Sequence, residues 1–491
     1  MTGRVTQGSD ITADVAETCD VCIIGSGAGG GVLAAGLVAR GLNVVMLEAG
    51  GYHTRRDFDL QEQTAFPALY QGRGGRSTTD LAISILQGRA VGGSTTVNWT
   101  TCFRTPDRIL SHWQQHHGIE GLDPQSLAPH FEAIEERLSI ATWPEERANA
   151  NNRKLLDGAR ALGWEAAPLR RNVKGCVNSG FCGMGCPVDG KQGQHVTTIP
   201  DAIAGGMRLY SDVEVRQLVH AGKKVSEVRG VVMERGRDRD TAHTVTVRPK
   251  VVALCGGAIN NPVLLFRSEL NPNGRVGLRT FLHPVVSMAG IYDEQVDPYY
   301  GAPQSIGSHQ FIDRGPDKVG YFLEAAPMHP MLTASAAGVF ASKLGELMQQ
   351  LPHISGLLAL QVDGLLPGDD GGTTTLRPDG RPACTTRCVP RSWSPCATAT
   401  APWPGSTWPL APAKWARSTP IPSVYAPRPT STSSRPLPTV PFSTPSSPHT
   451  RWVGAPWGPT LRPAWWAPTI GTTPFTISTL STAQCCPRPW A

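Results

Sequence analysis

The order of apolar and polar positions near the N-terminus predicts a strand–helix–strand unit. Residues 20–24 (DVCII) form a short apolar run, partly β-branched, as expected of a buried strand. A glycine-rich turn follows at residues 25–30, and an apolar stretch of helical length then runs to Arg40. A second strand-like run from Asn43 to Leu47 ends at the acidic Glu48. This order is typical of a dinucleotide-binding unit.

The turn between the first strand and the helix has the spacing G-x-G-x-x-G. Such a turn is tight, lets the backbone approach a pyrophosphate, and lets the helix pack closely on the strand. The helix start offers free N–H groups to phosphate, and the acid after the second strand stands where ribose hydroxyls are bound. Glycine-rich turns also occur without a ligand, and the motif does not decide between NAD and FAD. We predict a dinucleotide site that includes Gly25, Gly27, Gly29, Gly30 and Glu48.

A second glycine-rich run, GRAVGGSTTVNW from Gly88 to Trp99, indicates which dinucleotide binds. Its adjacent glycines allow close backbone approach, and its hydroxyl side chains can hydrogen-bond a flavin or a phosphate; a plain surface loop is the alternative. Together with the segment LEAG at residues 47–50, the run resembles the first signature of the glucose–methanol–choline (GMC) oxidoreductase family. The resemblance implies that the run lies along the pyrophosphate and isoalloxazine ring of FAD. It assigns to FAD the residues Arg89, Gly92, Gly93, Ser94 and Asn98.

Two later segments are similar to further parts of that family. Residues 209–215 resemble the strand whose valine backbone faces adenine, with Val215 the better candidate and Val213 the alternative. Residues 250–254 predict a strand that leads into a Gly-Ala turn and an apolar helix, similar to the second GMC signature, and this assigns Gly257 to the cofactor. That segment departs from the signature at Asn261 and Glu269.

The resemblance implies an α/β fold (an α+β two-domain flavoprotein), in which a Rossmann-like FAD-binding domain is interleaved with an antiparallel-sheet substrate domain. We place the FAD-binding domain at residues 16–280, with interleaved substrate-domain segments, and a further portion of the substrate domain at residues 281–383. The segment RTFLHP at residues 279–284 resembles the family's crossing into the substrate domain, where His283 is either structural or a site residue. Residues 384–491 are predicted to be irregular.

Three cysteines within eleven residues, Cys176, Cys182 and Cys186, form a candidate metal site beside several glycines. They are one ligand short of a closed zinc site, and no histidine has finger spacing. A three-iron cluster needs only three thiolates, and the spacing resembles that of flavin subunits of sugar dehydrogenases in the same family. Structural or redox-silent thiols are the alternative. The remaining cysteines of the N-terminal part are expected to be buried small residues: Cys19, Cys22, Cys102 and Cys255.

The composition divides the chain into two unlike pieces. Asp379 is the last acidic residue, and residues 381–491 contain 10 of the 45 Lys and Arg, 23 of the 43 Pro and 9 of the 13 Trp. The net charge of +6 is therefore −4 for residues 1–380 (35 bases minus 39 acids) and +10 for the rest. This distribution argues against reading the basic balance as affinity for nucleic acid.

The last part of the chain is best explained as the product of a shifted reading frame. Residues 384–491 contain nine tryptophans, whereas disordered segments avoid aromatic residues. They also lack the strand or helix periodicity that a folded domain would show. Because Trp has a single codon, the genetic code restricts which residues a reading frame shifted by one base could encode. The shifted frame recovers a pattern that fits the family's C-terminal H-x-M-G-x-x-x-M-G. We place the frameshift near residues 382–385. The family's catalytic histidine and its His or Asn partner are then not encoded, His449 is not the base, and the literal chain should be nearly inactive and fold poorly.

For an intact member the resemblance implies FAD-dependent oxidation of an alcohol, in which a histidine takes the hydroxyl proton and hydride passes to flavin N5. We expect a long-chain or bulky alcohol as substrate and oxygen or an electron-transfer partner as acceptor. The alternatives are the flavin subunit of a sugar or polyol dehydrogenase with an iron–sulfur cluster, a sterol-type oxidase, and a catalytically dead flavin-binding protein. With no secretory signal and no apolar run of membrane-spanning length, we expect a cytoplasmic protein, with peripheral membrane contact left open.

Overall fold

The computed structural model describes residues 2–222, 224–236, 239–315, 318–364, 366, 368–386 and 465–468. Almost all of the segment assigned to a shifted frame lies outside these residues, so that assignment stays a prediction. Two strands do fall in or next to it, at residues 382–385 and 465–468.

The described residues form nine α-helices, which begin and end as follows: α1 Ala28–Val38, α2 Glu62–Leu69, α3 Asp107–His117, α4 Pro124–Arg137, α5 Ala150–Ala161, α6 Thr198–Ala204, α7 Gly257–Arg267, α8 Pro330–Ala336 and α9 Ser342–Gln349. Short 3-10 turns at Gly93–Thr96 and Gln194–Val196 also matter for the site. None of the helices in the described part combines the length and the apolarity that crossing a bilayer requires.

The strands of the described residues are β1 Arg4–Thr6, β2 Val15–Ile24, β3 Val44–Leu47, β4 Ile83–Leu86, β5 Ile140–Thr142, β6 Ala167–Pro168, β7 Arg170–Asn172, β8 Arg208–Tyr210, β9 Val213–Ala221, β10 Lys224–Met233, β11 Asp240–Leu254, β12 Leu278–Thr280, β13 Val285–Ile291, β14 Ile306–Ser308, β15 Tyr321–Ala325, β16 Ile354–Gln361, β17 Gly372–Leu376, β18 Pro382–Thr385 and β19 Trp465–Pro468.

The largest sheet has seven strands in the order β1-β8-β3-β2-β11-β10-β9. The first five are parallel to one another, and β10 and β9 continue the sheet as an antiparallel ribbon. The helix α1 connects β2 to the parallel β3, and the residues of β3 and the last four residues of β2 are buried. Since parallel strands are covered on both faces, their continuous apolar runs follow from this position.

A second, antiparallel sheet has five strands in the order β13-β16-β15-β14-β6. Its edge strand β6 comes from residues 167–168, well before the other four strands, so the chain enters this sheet twice. The arrangement confirms the predicted fold class, a Rossmann-like sheet interleaved with an antiparallel one. Smaller sheets are β12-β17-β18, β5-β7 and the parallel pair β4-β19.

The structure corrects one predicted strand and extends others. The segment 209–215 is two strands, β8 and β9, because Asp212 between them has the left-handed backbone conformation (φ 59°). The strand predicted at 250–254 is the end of the fifteen-residue β11, and the one predicted at 20–24 is the end of β2. The ends of a strand are harder to predict than its middle. Pairing within the sheet, and not the local residue pattern, decides where a strand begins and ends.

Candidate functional site

The two glycine-rich runs that the sequence singled out meet in space at the ends of β2 and β3. A Cβ placed on Gly93 would lie 2.7 Å from the Cα of Gly27, and one on Gly50 would lie 2.3 Å from the backbone of Arg89 and Ala90. Val91 N–H also donates to the carbonyl of Gly51 at 2.9 Å. The backbones can approach this closely only because side chains are absent, so these glycines are required by the contact between the two runs.

Glu48 and Ser26 join the two runs by hydrogen bonds. The carboxylate of Glu48 is buried and accepts from the backbone N–H of Ser26 (2.9 Å), the hydroxyl of Ser26 (2.7 Å) and the N–H of Gly50 (2.8 Å). The Ser26 hydroxyl in turn accepts from Gly92 N–H at 3.0 Å. Burial raises the pKa of Glu48, while these donors oppose the rise. Glu48 therefore organises both runs, in addition to the ribose contact that its position predicts.

The first turn of α1 is open towards this junction. Gly27 precedes the helix with no side chain capping it, and a Cβ on Gly27 would have only Gly93 Cα nearby, at 3.9 Å. A Cβ on Gly30, by contrast, would lie 2.0 Å from the Gly25 carbonyl oxygen, so Gly30 serves the packing of helix against strand. Gly29 lies in the same helical turn. This is the division of roles that the sequence spacing predicts: a tight turn, an open approach and a close packing contact.

Other predicted cofactor residues lie around the same junction. Gly88 N–H donates to the Ser94 hydroxyl at 3.0 Å, and Gly92 and Gly93 both have positive φ. The Arg89 guanidinium lies 3.7 Å from the carboxylate of Glu214, the residue before the buried Val215 on β9. Val213, the alternative to Val215, uses its backbone N–H to bond the Glu48 carbonyl at 2.8 Å.

The second glycine-alanine turn opens α7 beside the same region. Gly257 begins the helix with φ 88°, and a Cβ there would lie 2.9 Å from Nε2 of Gln87, the residue before the second glycine-rich run. Asn261, which departs from the family signature, accepts Gly256 N–H at 2.8 Å and donates to the Leu254 carbonyl at 3.2 Å. Asn261 therefore ties the end of β11 to the start of α7, and its departure from the signature has a structural use.

These residues fit FAD. The open approach at Gly27, the uncapped start of α1 and the converging glycines form a cradle that a Cβ would fill, and the helix start favours a pyrophosphate. Gly27 would leave the backbone open to the nucleotide, and Glu48 has a carboxylate at the end of β3 for the ribose. The surrounding turns depend on glycines with positive φ: Gly25, Gly92, Gly93 and Gly257.

The three-cysteine hypothesis of a metal site is not supported. Among the described residues, no group of three or more His, Cys, Asp and Glu is arranged to hold a metal ion. Instead, the sulfur of Cys176 accepts the N–H of Asn178 and that of Cys186 accepts the N–H of Lys191, each at 3.4 Å. Cys182 accepts a longer contact of 3.8 Å from Arg171. The thiols are free and individually hydrogen-bonded to protein, as the structural alternative requires.

In the cysteine loop (residues 176–186), aromatic side chains occupy the space beside two of the glycines. A Cβ on Gly183 would lie 2.8 Å from the indole of Trp99, and one on Gly185 would lie 2.2 Å from the ring of Phe58. These glycines therefore allow close packing against Trp99, at the end of the second glycine-rich run, and against Phe58. They do not direct backbone N–H groups at a cluster. Of the other cysteines, Cys19, Cys22 and Cys102 are buried as expected, whereas Cys255 is partly exposed.

Sequence reasoning missed the buried basic residues next to this run. Lys191 and Arg171 are each at most 1% exposed, and burial lowers the pKa of Lys191 to about 8. His195 is also buried; its pKa falls to about 3 through burial, and its Nδ1 lies 3.3 Å from the Thr96 hydroxyl. Single basic residues give no periodic signal. The one local sign in the sequence is that Lys191 follows the cysteines and glycines of residues 176–190.

Comparisons with known proteins agree with the geometry. The sequence model of the family described as GMC oxidoreductase matches residues 66–285. An uncharacterised GMC-type oxidoreductase of Mycobacterium tuberculosis (strain H37Rv) is 33% identical over 348 residues, which cover 70% of this chain and 53% of that protein. A long-chain-alcohol oxidase of Arabidopsis thaliana is 30% identical over 283 residues, covering 56% of this chain and 38% of that protein.

Solved structures show the same fold. Pyridoxine 4-oxidase from Mesorbium loti superimposes with a TM-score of 0.56 at 19% identity, covering 74% of this chain and 75% of that one. A formate oxidase variant of Aspergillus oryzae superimposes with a TM-score of 0.56 at 14% identity, covering 76% and 78%. The chain matches about half of the length of the Mycobacterium relative, and less of the Arabidopsis one.

Proposed function

The chain carries a domain of the GMC oxidoreductase family, and on that premise we propose that it binds FAD and that its intact form oxidises an alcohol to an aldehyde or ketone. The single observation that carries the proposal is that the backbones of Gly27 and Gly93 meet at the junction held by Glu48. The uncapped start of α1 is left open there. Flavin, when bound, supplies the acceptor for the two electrons taken from the CH–OH group.

The residues of this chain would bind and orient the cofactor. The start of α1 would hold the pyrophosphate, Glu48 the ribose, and the Gly92–Asn98 backbone the flavin ring. Trp99 and the cysteine loop close the region behind this backbone, since Gly183 packs directly on the indole. Such packing excludes water and fixes the geometry on which hydride transfer depends.

The proposed substrate is a long-chain or bulky alcohol, because the relatives include a long-chain-alcohol oxidase at 30% identity. The acceptor is oxygen or an electron-transfer partner. The family's catalytic histidine and its partner belong to the segment that we infer to be read in a shifted frame. The literal chain is therefore proposed to be a flavin-binding protein with little turnover, and none of its described residues is assigned as the base.

The experiment compares the literal chain with a variant whose gene carries one base inserted near codon 383 to restore the frame. We expect both to bind FAD, released by denaturation and identified by chromatography, and only the corrected protein to reduce its flavin anaerobically with long-chain alcohols. Absence of FAD from both proteins would refute cofactor binding. Normal turnover by the literal chain, or none by the corrected protein with any alcohol, sugar or polyol, would refute the assigned catalysis.

A further inference from the structure

The ammonium group of Lys191 donates hydrogen bonds to three backbone carbonyls in two segments of the chain. Its Nζ donates to the carbonyls of Thr96 (2.5 Å), Asn98 (3.1 Å) and Cys182 (2.6 Å). The first two belong to the run assigned to flavin, and the third to the cysteine loop. All three donors of the ammonium are therefore satisfied by neutral acceptors.

Arg171 makes a second set of contacts to the same two segments. Its Nε donates to the Thr100 hydroxyl at 2.7 Å, and its Nη2 to the Trp99 carbonyl at 3.2 Å and to the Cys182 sulfur at 3.8 Å. The guanidinium also lies over the ring of Trp143, 5.0 Å from its centre. We call Lys191 and Arg171 the two-cation clamp, since together they hold residues 96–100 against Cys182.

Neither cation of the two-cation clamp forms an ion pair in the part of the chain that the structure describes. The charge of Arg171 does act on the buried carboxyl of Glu324, but burial raises the pKa of that carboxyl to about 8. The Arg171 Nη1 is buried and has no hydrogen-bond partner among the described residues. Removing an ion from water costs several kcal/mol even after relaxation, and a hydrophobic residue of similar size often stabilises a fold at least as well. Stability alone therefore does not account for two buried charges at this place.

We propose that the two-cation clamp stabilises the negative charge that flavin acquires on reduction, and that Lys191 also fixes the backbone of residues 96–98 against the ring. The inference rests on the proposed binding of FAD. Oxidation of R₂CHOH to R₂C=O delivers two electrons and one proton to flavin and releases the second proton, so the reduced ring bears one negative charge. In an interior of low dielectric, a buried ammonium and guanidinium that bond the backbone of residues 96–100 would favour the reduced form of a ring bound along that backbone.

The test is the midpoint potential of the bound flavin, measured on the holoprotein by anaerobic equilibration with a reference dye. We expect Lys191→Met to weaken binding of reduced relative to oxidised flavin about tenfold, which for a two-electron couple lowers the potential by about 30 mV. Lys191→Arg, which keeps the charge, should retain most of the wild-type potential. Lys174→Met, which removes an exposed lysine from the same region, is the matched control and should leave it unchanged.

The outcomes separate the inference from the function on which it rests. A wild-type chain without FAD overturns both. A wild-type chain that holds FAD, with an unchanged potential in Lys191→Met or an equal fall in Lys191→Arg, overturns the role of the charge. If Lys191→Met yields no folded protein, the same titration on Arg171→Gln decides, with a fall expected and an unchanged potential counting against the clamp.

Discussion

At Gly27 a Cβ would have only the Cα of Gly93 nearby, at 3.9 Å, whereas at Gly185 it would lie 2.2 Å from the ring of Phe58. Both glycines stand in glycine-rich runs of similar appearance in the sequence. The first run leaves space above an uncapped helix start, and the second has its space filled by aromatic side chains. The comparison distinguishes glycines that leave space for a ligand from glycines whose space is filled by a neighbouring side chain. Substituting the first kind should weaken ligand binding, and substituting the second kind should destabilise the fold.

The largest effect is expected for Gly185→Ala. The new methyl group would overlap the Phe58 ring, and the residue would keep a left-handed backbone with φ 89°. Overpacking and backbone strain together should lower the free energy of unfolding by about 3 kcal/mol. Denaturant titration measures this. Gly175→Ala is the matched control, since Gly175 has φ 66° and nothing within 4 Å, and it should cost only about 1 kcal/mol. Equal losses in the two variants would contradict the packing role.

Gly27→Ala should act on ligand binding and leave the fold intact. Gly27 has φ −65°, which alanine adopts without strain, and the new methyl would enter open space. If FAD occupies that space, its affinity should fall about 100-fold, or about 2.7 kcal/mol, with unfolding of the apoprotein unchanged. Fluorescence titration of FAD into the apoprotein measures the affinity. Gly36→Ala, later in α1, is the control and should bind as the wild type does; a Gly27→Ala protein that binds equally well would show that the ligand lies elsewhere.

Glu48→Gln should affect both the fold and the ligand, because Glu48 joins the two runs of the cradle. The amide has one acceptor oxygen for the three donors that the carboxylate now accepts, so a buried N–H is left unsatisfied. We expect a loss of about 1–2 kcal/mol in unfolding free energy and a weaker hold on FAD in the same titration. Glu17→Gln, at a hydrogen-bonded carboxylate in the first half of β2 that contacts neither the cradle nor the two-cation clamp, is the control and should leave FAD affinity unchanged.

The smallest effect is expected at the surface, where ion pairs of Glu135 connect the second glycine-rich run to the cysteine loop. Glu135 accepts hydrogen bonds of 2.6–2.8 Å from Arg104, which follows the second glycine-rich run, and from Arg170, which precedes the cysteine loop. These two guanidinium groups lower the pKa of Glu135 to about 2. Since the folded-state pKa is depressed, the contribution is present above the ordinary value near 4.5 and is lost as the pH falls towards 2.

Glu135→Gln should therefore cost at most about 1 kcal/mol near neutral pH, because the arginines are partly exposed and solvent screens the interaction. In denaturant titrations from pH 7 to pH 3, the difference from wild type should shrink as the pH falls. Glu132→Gln, at an exposed position of the same helix α4, should show no such trend. A difference that grows on acidification would contradict the assigned ion pairs.

Much of the cradle could be predicted from the sequence because its signals are local. The spacing of Gly25, Gly27 and Gly30 between a strand and a helix defines the turn, the open approach and the packing contact, and the structure shows each of them. The approach of the second run was predicted only through the family resemblance, since nothing local relates Gly93 to Gly27. The cysteine spacing, in contrast, suggested metal ligands, because spacing does not reveal where the sulfur atoms point.

By itself, the sequence determined the strand–turn–helix unit, the buried parallel strands and the division of the chain into two unlike compositions. Those features follow from side-chain pattern and turn chemistry within a few residues. Only the tertiary structure decided that Glu48 accepts three donors from the cradle, that Asp212 divides a predicted strand, and that Lys191 reaches Thr96 across 95 positions of sequence. Such contacts arise when distant segments close on one another, and packing, not local preference, then sets which buried charge meets which carbonyl.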